Sequence, residues 1–552
     1  METKQSGSSK ESLAMPAVVS ASSLPTEYDE KLSESSYSGA EITDKKEQEE
    51  VEERLEEQPV AAEPLKAAGR PPGPPPPPLM DLDAGIVGWD SFDDPANPKN
   101  WPVARKWRTM VFVAFSTFIL PLASTLFAPG VELVAEEFDV TSSTIEALMV
   151  SIFVFGFGWG PMLFHAPLCE LYGRKKVISV SNLLFAIFNI GCALAQNVGT
   201  FFACRFLGGL LGCASMVVGG GVISDMFTRE NMGRASSVYA MGPLMGPVIG
   251  PVIGGFIAQD LGWRWAFRFL IIVGFVSFCL FTIAVQETHP PTILRQKTKR
   301  LQKELNRPDL ESAMDKDNKR TPVMVFVFGF TRPLALLFTN PTALCLGLYM
   351  AIAFAYLYVF LTTLTEVFHN LYGFSTGLTG LAYLGLGVGL QTALFTVGWT
   401  NDKLVAWLTK RNNGVREPEF RLRPLLFSCI CFPVAMFWYG WSVQTHAHWF
   451  AVIASMFPLG LGMVSSMLPI QTYLIEVFAP YGLSASAVAA GNCFRMTAGA
   501  FFPLVAPPLF ARLDYGWGCS LLGFLALGML ASMAIAFIYF GKHLRLKYPP
   551  KV

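Results

Sequence analysis

The feature that most constrains this chain is a recurrence. From residue 110 onward, apolar runs of about 20 residues follow one another, the length a bilayer core requires. They lie near 110–129, 147–168, 177–195, 201–224, 237–258, 266–286, 342–364, 377–399, 425–443, 449–474, 485–509 and 519–540. A backbone in hydrocarbon must satisfy its own polar groups, so such runs fold as helices. The expectation is an all-α integral membrane protein with twelve transmembrane helices, in contact with a lipid bilayer. Composition agrees, with 52% hydrophobic and 15% charged residues, where soluble domains carry about a quarter charged residues. A soluble enzyme, a secreted disulfide scaffold and a nucleic-acid binder are excluded.

The net charge of zero hides an asymmetry. Residues 1–98 carry a balance of −13 and the remainder +13. Residues 1–80 are rich in Ser, Glu and Lys, and seven of the eight positions 71–78 are proline. Such a stretch buries too little apolar area to offset its ordering entropy, and a proline run favours an extended helix. Residues 1–98 therefore read as a disordered acidic tail that tunes trafficking and turnover, with a docking site for an SH3- or WW-type partner at its proline end as the sharper alternative. No cleavable signal peptide is expected. The ten cysteines form no CxxC pair and the six histidines no ligand cluster. No metal, cofactor or catalytic constellation is expected.

Lys and Arg in short loops set orientation. Loops on the N-terminal side hold 29 of them, including ten in 287–335 and six in 400–424, while the opposite loops hold Arg264 and Arg512, with Arg268 at a span edge. Both termini and the 287–335 loop are expected in the cytosol. The division that follows is 99–286 for a first six-helix half, 287–335 for a basic loop, 336–540 for a second half and 541–552 for a short basic tail.

An internal repeat supports the two halves. At an offset of 251, RFLGGLLGCASMV (205–217) aligns with MFPLGLGMVSSML (456–468). Gly209 falls on Gly460, and the two runs end in Asp225-Met-Phe and Glu476-Val-Phe. Pseudo-symmetric halves of this kind place a transport site between them.

Several motifs carry a family resemblance. GWDSFDDPANPKNWP (88–102), APLCELYGRKK (166–176), RFLGGLLG (205–212), GPLMGPVIGPVIGG (242–255) and ETHPPTILRQKTKRL (287–301) together resemble the major facilitator superfamily, and within it the fungal twelve-span drug:proton antiporters and their polyamine-exporting relatives. The resemblance covers residues 89–548 and implies the major facilitator fold. Ala166 and Leu171 depart from the wider pattern, which has Gly and a base there.

Glu170, Arg174 and Asp225 lie at cytosolic span ends, where an acid–base cluster can latch the inner mouth in one state and part in the other; the resemblance implies such a latch. Plain positive-inside topology accounts for Lys175 and Lys176. Arg205 lies inside span 4, where a charge is functional by default, unless it snorkels to the outer face. The resemblance gives it a part in proton coupling, and Glu146 is the nearest acid to carry a proton. In span 5, Gly242, Gly246, Gly250 and Gly254 stand four apart, with Pro251 among them, so small residues share one face. They read as a bendable seam between the halves, which the resemblance links to export. Arg495 in span 11 reads as facing the cavity or as pairing with a carbonyl. Tyr349 and Tyr356 of span 7, with Gln471 and Tyr473 of span 10, are candidates to line the cavity, since aromatic faces suit apolar or cationic ligands. His165 reads as a packing residue.

The function expected is proton-coupled efflux of small organic compounds by alternating access, by a monomer whose partners are its substrate and protons. The alternatives are a polyamine exporter of the same fold and a membrane receptor. A sugar symporter is disfavoured, because span 6 exits into ETHPP rather than a PESPR-like run. The membrane expected is the cell membrane, with the vacuolar membrane open.

Overall fold

The computed structural model describes residues 78–315 and 321–550. Most of the acidic tail, and residues 71–77 of the proline run with their expected SH3- or WW-type partner, lie outside the described residues. All twelve expected spans are helical. The principal helices are Val103–Thr125, Ser143–Gly160, Arg174–Ala193, Val198–Gly212, Arg229–Leu261 and Trp263–Ala284, then Pro341–Glu366, Leu384–Arg411, Leu425–Gln444, Trp449–Phe478, Ser484–Phe501 and Ala506–Lys547. They are called spans 1 to 12 in that order. The last two merge into one apolar stretch, Ser484–Lys547, bent at Asp514, whose backbone leaves the helical region at φ 54°.

Local chemistry sets the breaks. Gly173 (φ +90°) and Gly262 (φ +86°) turn the chain between spans 2 and 3 and between spans 5 and 6, in a region side chains avoid. Asn197 and Asn340 cap spans 4 and 7, accepting from Thr200 N at 2.8 Å and Ala343 N at 3.1 Å, and Pro341 begins span 7, as helix starts favour.

The halves repeat each other. Spans 1 and 5, 2 and 4, and 3 and 6 pack in the first half; spans 7 and 11, 8 and 10, and 9 and 12 pack in the second. The 251-residue offset is visible in contacts. A Cβ on Gly209 would sit 3.1 Å from Phe157 N of span 2, and one on Gly460 would sit 2.6 Å from Leu390 N of span 8. Both glycines let two helices touch backbone to backbone. Asn182 links spans 1, 3 and 6, meeting Ser116 Oγ and Ser277 Oγ at 3.0 Å each. Outward apolar side chains such as Ile283, Phe395, Trp399 and Phe540 stay exposed, as a lipid-facing surface requires.

Both ends of the described chain lie on one face, called the terminal face below; Asn340 Nδ2 at the start of span 7 donates to Tyr548 O at 3.0 Å. The other is the far face. Two parts of the sequence-based division change. Residues 78–98 are folded. Ile86–Val87 pairs in parallel with Glu311–Ser312, Trp89 is buried, and Lys297 Nζ meets Asp90 at 2.7 Å and Asp94 at 3.8 Å. Composition marked this stretch as tail, but its backbone and carboxylates find partners in the 287–335 loop. That loop is itself structured. Helix Pro290–Glu304 holds Lys297, and Arg295, which pairs with Asp315 at 2.5 Å. Helix Pro322–Thr339 is long and apolar enough to count as a membrane segment. A Cβ on its Gly329 would sit 2.7 Å from Pro167 Cγ of the first half, and Leu337 lies against Gly347 of the second.

Candidate transport site and its charge pairs

At the terminal face, Arg174 begins span 3, and Asp225 lies near the end of helix Ala214–Met226, which continues span 4. Arg174 Nε lies 3.0 Å from Asp225 Oδ2, and Nη2 donates to Oδ1 at 3.2 Å. Gly221 leaves the room that the guanidinium fills. The expected third member, Glu170, has an exposed side chain, and its carboxylate is in no ion pair among the described residues. The acid that joins the pair is Glu287, beyond span 6. It accepts from Arg174 N at 2.9 Å and Lys175 N at 3.2 Å, capping the positive end of span 3. Its neighbour His289 is pushed down to about 4 by burial and by the positive charges of Arg174 and Arg295, so it is neutral at ordinary pH and accepts or shares a bond with Thr292 Oγ1 at 2.9 Å.

The second half carries the counterpart. Glu476, at the end of span 10, meets Arg421 Nε at 2.5 Å and Arg416 Nη2 at 3.0 Å, and Arg421 reaches Asp402 at 3.2 Å. The signal that finds this pair is the repeat itself, which lays Glu476 on Asp225.

In the middle of the bundle, Arg205 is 1% exposed. Nη1 donates to Ala123 O at 3.1 Å and Nη2 to Val150 O at 3.4 Å. Its charge lies over Phe153 at 4.8 Å, Phe127 at 5.5 Å and Phe267 at 5.7 Å. It does not snorkel, and no carboxylate pairs with it among the described residues. Glu146 instead shares a pocket with Glu132 and Glu366, which Val150 also lines. Arg205 and Glu146 thus contact the same backbone turn without meeting.

The halves meet at the far face. Thr365 Oγ1 of span 7 donates to Ala128 O at 3.4 Å, His369 lies 3.8 Å from Glu132, and Gly377 N donates to Gln259 Oε1 at 3.0 Å. Here the glycine reading needs correction. A Cβ on Gly242 or Gly246 would sit 2.7 Å from Ala114 O or Leu122 N, and on Gly250 2.8 Å from Leu122 O, all of span 1. Gly254 likewise abuts Leu126 of span 1. The stripe is an intra-half contact. The seam between halves uses the adjacent face of span 5: Pro251 O against Gly380, and Gly255, whose Cβ would sit 2.6 Å from Thr376 O.

The cavity candidates also divide. Tyr349 OH bonds Ser428 Oγ at 2.5 Å, Tyr356 OH donates to Leu522 O at 2.7 Å, and Tyr473 OH donates to Glu419 Oε1 at 3.4 Å. All three pack inside the second half, because positions 349 and 356 are seven apart and share the helix face turned to spans 9 and 12. Gln471 Nε2 reaches Asn492 Oδ1 at 3.5 Å, between spans 10 and 11. Arg495 is 3% exposed. Nη1 contacts Met467 Sδ at 3.0 Å, the charge lies 4.4 Å over Phe354, and Nε has no partner. The span-7 residues turned toward it are Phe354 and Tyr358. His165 packs as expected, its ring meeting Gly160 O at 2.9 Å and Leu211 O at 3.1 Å.

Residues 113–503 match the Major Facilitator Superfamily. The chain is 43% identical to the MFS transporter cpaT of Aspergillus oryzae over 83% of this chain and 92% of that protein. It is 42% identical to the MFS-type transporter penM of Penicillium rubens over 84% and 90%, and 39% identical to the efflux pump radE of Floropilus chiversii over 84% and 86%. Among solved structures it resembles the partially occluded, inward-open xylose transporter XylE of E. coli, with TM-score 0.60 and 16% identity over 79% of this chain and 98% of that one. The chain is a multi-pass membrane protein that belongs to the Major Facilitator Superfamily, a family of transporters rather than enzymes.

Proposed function

We propose that this protein exports small organic compounds in exchange for protons, by rocking of its two halves, with the terminal face in the cytosol of the cell. The observation that carries the reading is the closed far mouth. Glu132 and Glu146 of the first half and Glu366 of the second line one pocket there, one turn from the backbone that holds Arg205. When the halves part on that side, these carboxylates are reached from outside and Glu146 takes a proton. When they close, the Arg205 charge below favours the ionised form and drives release toward the cytosol. The two terminal-face charge pairs stabilise each half while the mouth on that side changes.

The names of similar proteins, including an efflux pump, favour outward transport, and the 29 basic residues of the N-terminal-side loops favour a cytosolic terminal face. A proton crossing about 100 mV releases about 2.3 kcal/mol, and each pH unit adds about 1.36 kcal/mol. With a two-unit gradient that is about 5 kcal/mol, enough for a substrate gradient of three to four decades. A polyamine cargo is disfavoured, because the central charges are Arg205 and Arg495. The test is uptake of an aromatic substrate panel into inside-out vesicles with an acid lumen. Uptake that nigericin abolishes, and that Glu146→Gln lowers at least tenfold, supports proton exchange. Uptake indifferent to both refutes it.

A further inference from the structure

We infer that Arg495 is the anchor of an anion subsite, and that the cargo is an aromatic organic compound carrying one carboxylate or equally acidic group. This rests on the transport reading above and specifies its substrate class.

Four observations lead there. Arg495 is 97% buried at mid-span, given its 3% exposure, and its Nε donates to nothing. What surrounds it is a thioether sulfur and the face of Phe354, which compensate a cation only in part. No carboxylate pairs with it among the described residues. A cation in this position is costly unless something pairs with it.

Second, Arg495 sits beside the contact between halves. The adjacent Met496 lies against Gly158 of span 2, and Thr497 Oγ1 accepts from Trp159 Nε1 at 3.1 Å. Third, Tyr358 stands within electrostatic range of both Arg495 and Arg205, and its hydroxyl reaches Ser124 of span 1. One tyrosine is thus coupled electrostatically to two buried cations, one from each half. Fourth, Phe354 and Tyr358, one helical turn apart on span 7, pack against each other with centroids 5.7 Å apart and ring planes tilted by 40°, an aromatic wall beside the charge.

A cation with a free donor, Nε, next to an aromatic wall suits a planar body with a single negative group. A polyamine would meet repulsion. A neutral compound would leave the charge unpaired. The subsite also sets the electrical sign of exchange. One monoanion leaving for one proton entering moves two elementary charges, so an inside-negative potential drives both partners.

The experiment is equilibrium binding to the purified full chain in lipid nanodiscs, with no gradient, so that its failure is separate from failure of proton coupling. The probes are 1-naphthoate, the neutral 1-naphthamide and the cation 1-naphthylmethylammonium. The wild type is expected to bind the carboxylate about 30-fold or more tightly than the amide, and the ammonium weakest. Arg495→Gln should remove that preference while leaving amide binding within about threefold. Arg495→Met provides a second reading. Removing an unpaired buried cation relieves its cost, so the ligand-free variant should melt no lower than the wild type and lack the carboxylate preference. The inference is overturned if wild type binds acid and amide alike, if either variant keeps the preference, or if Arg495→Met lowers the melting temperature by several degrees, which would make the residue structural.

Discussion

Asp225 and Glu476 stand 251 residues apart in sequence and do the same work in opposite halves: each closes a span on the terminal face by pairing with an arginine, Arg174 at 3.0 Å and Arg421 at 2.5 Å. The Arg174 and Asp225 side chains are 15% and 11% exposed, too buried for the pair to behave as a surface salt bridge. Removing one partner of a buried pair costs about 3–5 kcal/mol, because the other charge is stranded. Asp225→Asn and Glu476→Gln should each cut transport per molecule at least tenfold, and the exchange Arg174→Asp with Asp225→Arg should restore part of it. Vesicle transport normalised to protein amount checks this.

Arg205→Ala should abolish gradient-driven export with little loss of assembled protein, since the side chain bonds only two carbonyls and three rings. Arg205→Lys should recover little. Lysine is a compact point charge and cannot hold Ala123 O and Val150 O with one planar group. Counterflow without a gradient, set beside ΔpH-driven flux, separates coupling from substrate binding.

The two contact faces of span 5, against span 1 and against Thr376–Ala382 of the second half, should fail differently when crowded. Gly246→Leu meets the span 1 backbone and should lower the yield of folded protein. Gly380→Leu meets Pro251 O across the seam and should fold, with its far mouth held open. Labelling of a cysteine placed near Gln259 by a membrane-impermeant reagent should rise in the second variant and not in the first.

His289 supplies a pH dependence. Its folded-state value is pushed down to about 4, below an unfolded value of about 6.5. The unfolded state therefore binds the proton first. The stability His289 supports is full above about pH 6.5 and declines as pH falls toward 4, where protonation would add a cation beside Arg174 and Arg295 and near Asp315. Protease cleavage within 290–315 should accelerate over that range in wild type and lose this dependence in His289→Asn.

Removing residues 1–77 should leave transport per molecule unchanged. Extending the deletion through residue 98 removes Val87, Trp89 and the partners of Lys297. It should lower the amount of folded protein several-fold. Size-exclusion profiles of the two truncations decide this.

Much of this was legible in the sequence because one-dimensional signals suffice for it. Apolar length placed the spans, and the repeat laid Gly209 on Gly460, two glycines that make matching contacts with spans 2 and 8. Arg205 stood out because a charge in hydrocarbon needs a reason. What could not be read is which neighbour a helix face meets. Gly242–Gly254 forms a stripe whichever helix covers it, and only the packing shows that span 1 does. Tyr349 and Phe354 are equally aromatic, yet a half-turn of span 7 sends one to Ser428 and the other to Arg495. Glu287 caps span 3 from 113 residues away from Arg174, and no local pattern announces that. Helix Pro322–Thr339 was lost because its charged flanks drew the whole segment into a loop.

The central claim is exchange of an exported compound for protons by two rocking halves. Its most direct measurement is proton flux into the lumen medium of proteoliposomes containing the purified chain, recorded with a trapped pH dye while a naphthoate gradient is imposed. The account predicts proton movement opposite to the substrate, one proton or more per molecule, absent in Glu146→Gln and Arg205→Ala. Substrate flux that moves no protons, or that carries them in its own direction, would contradict it.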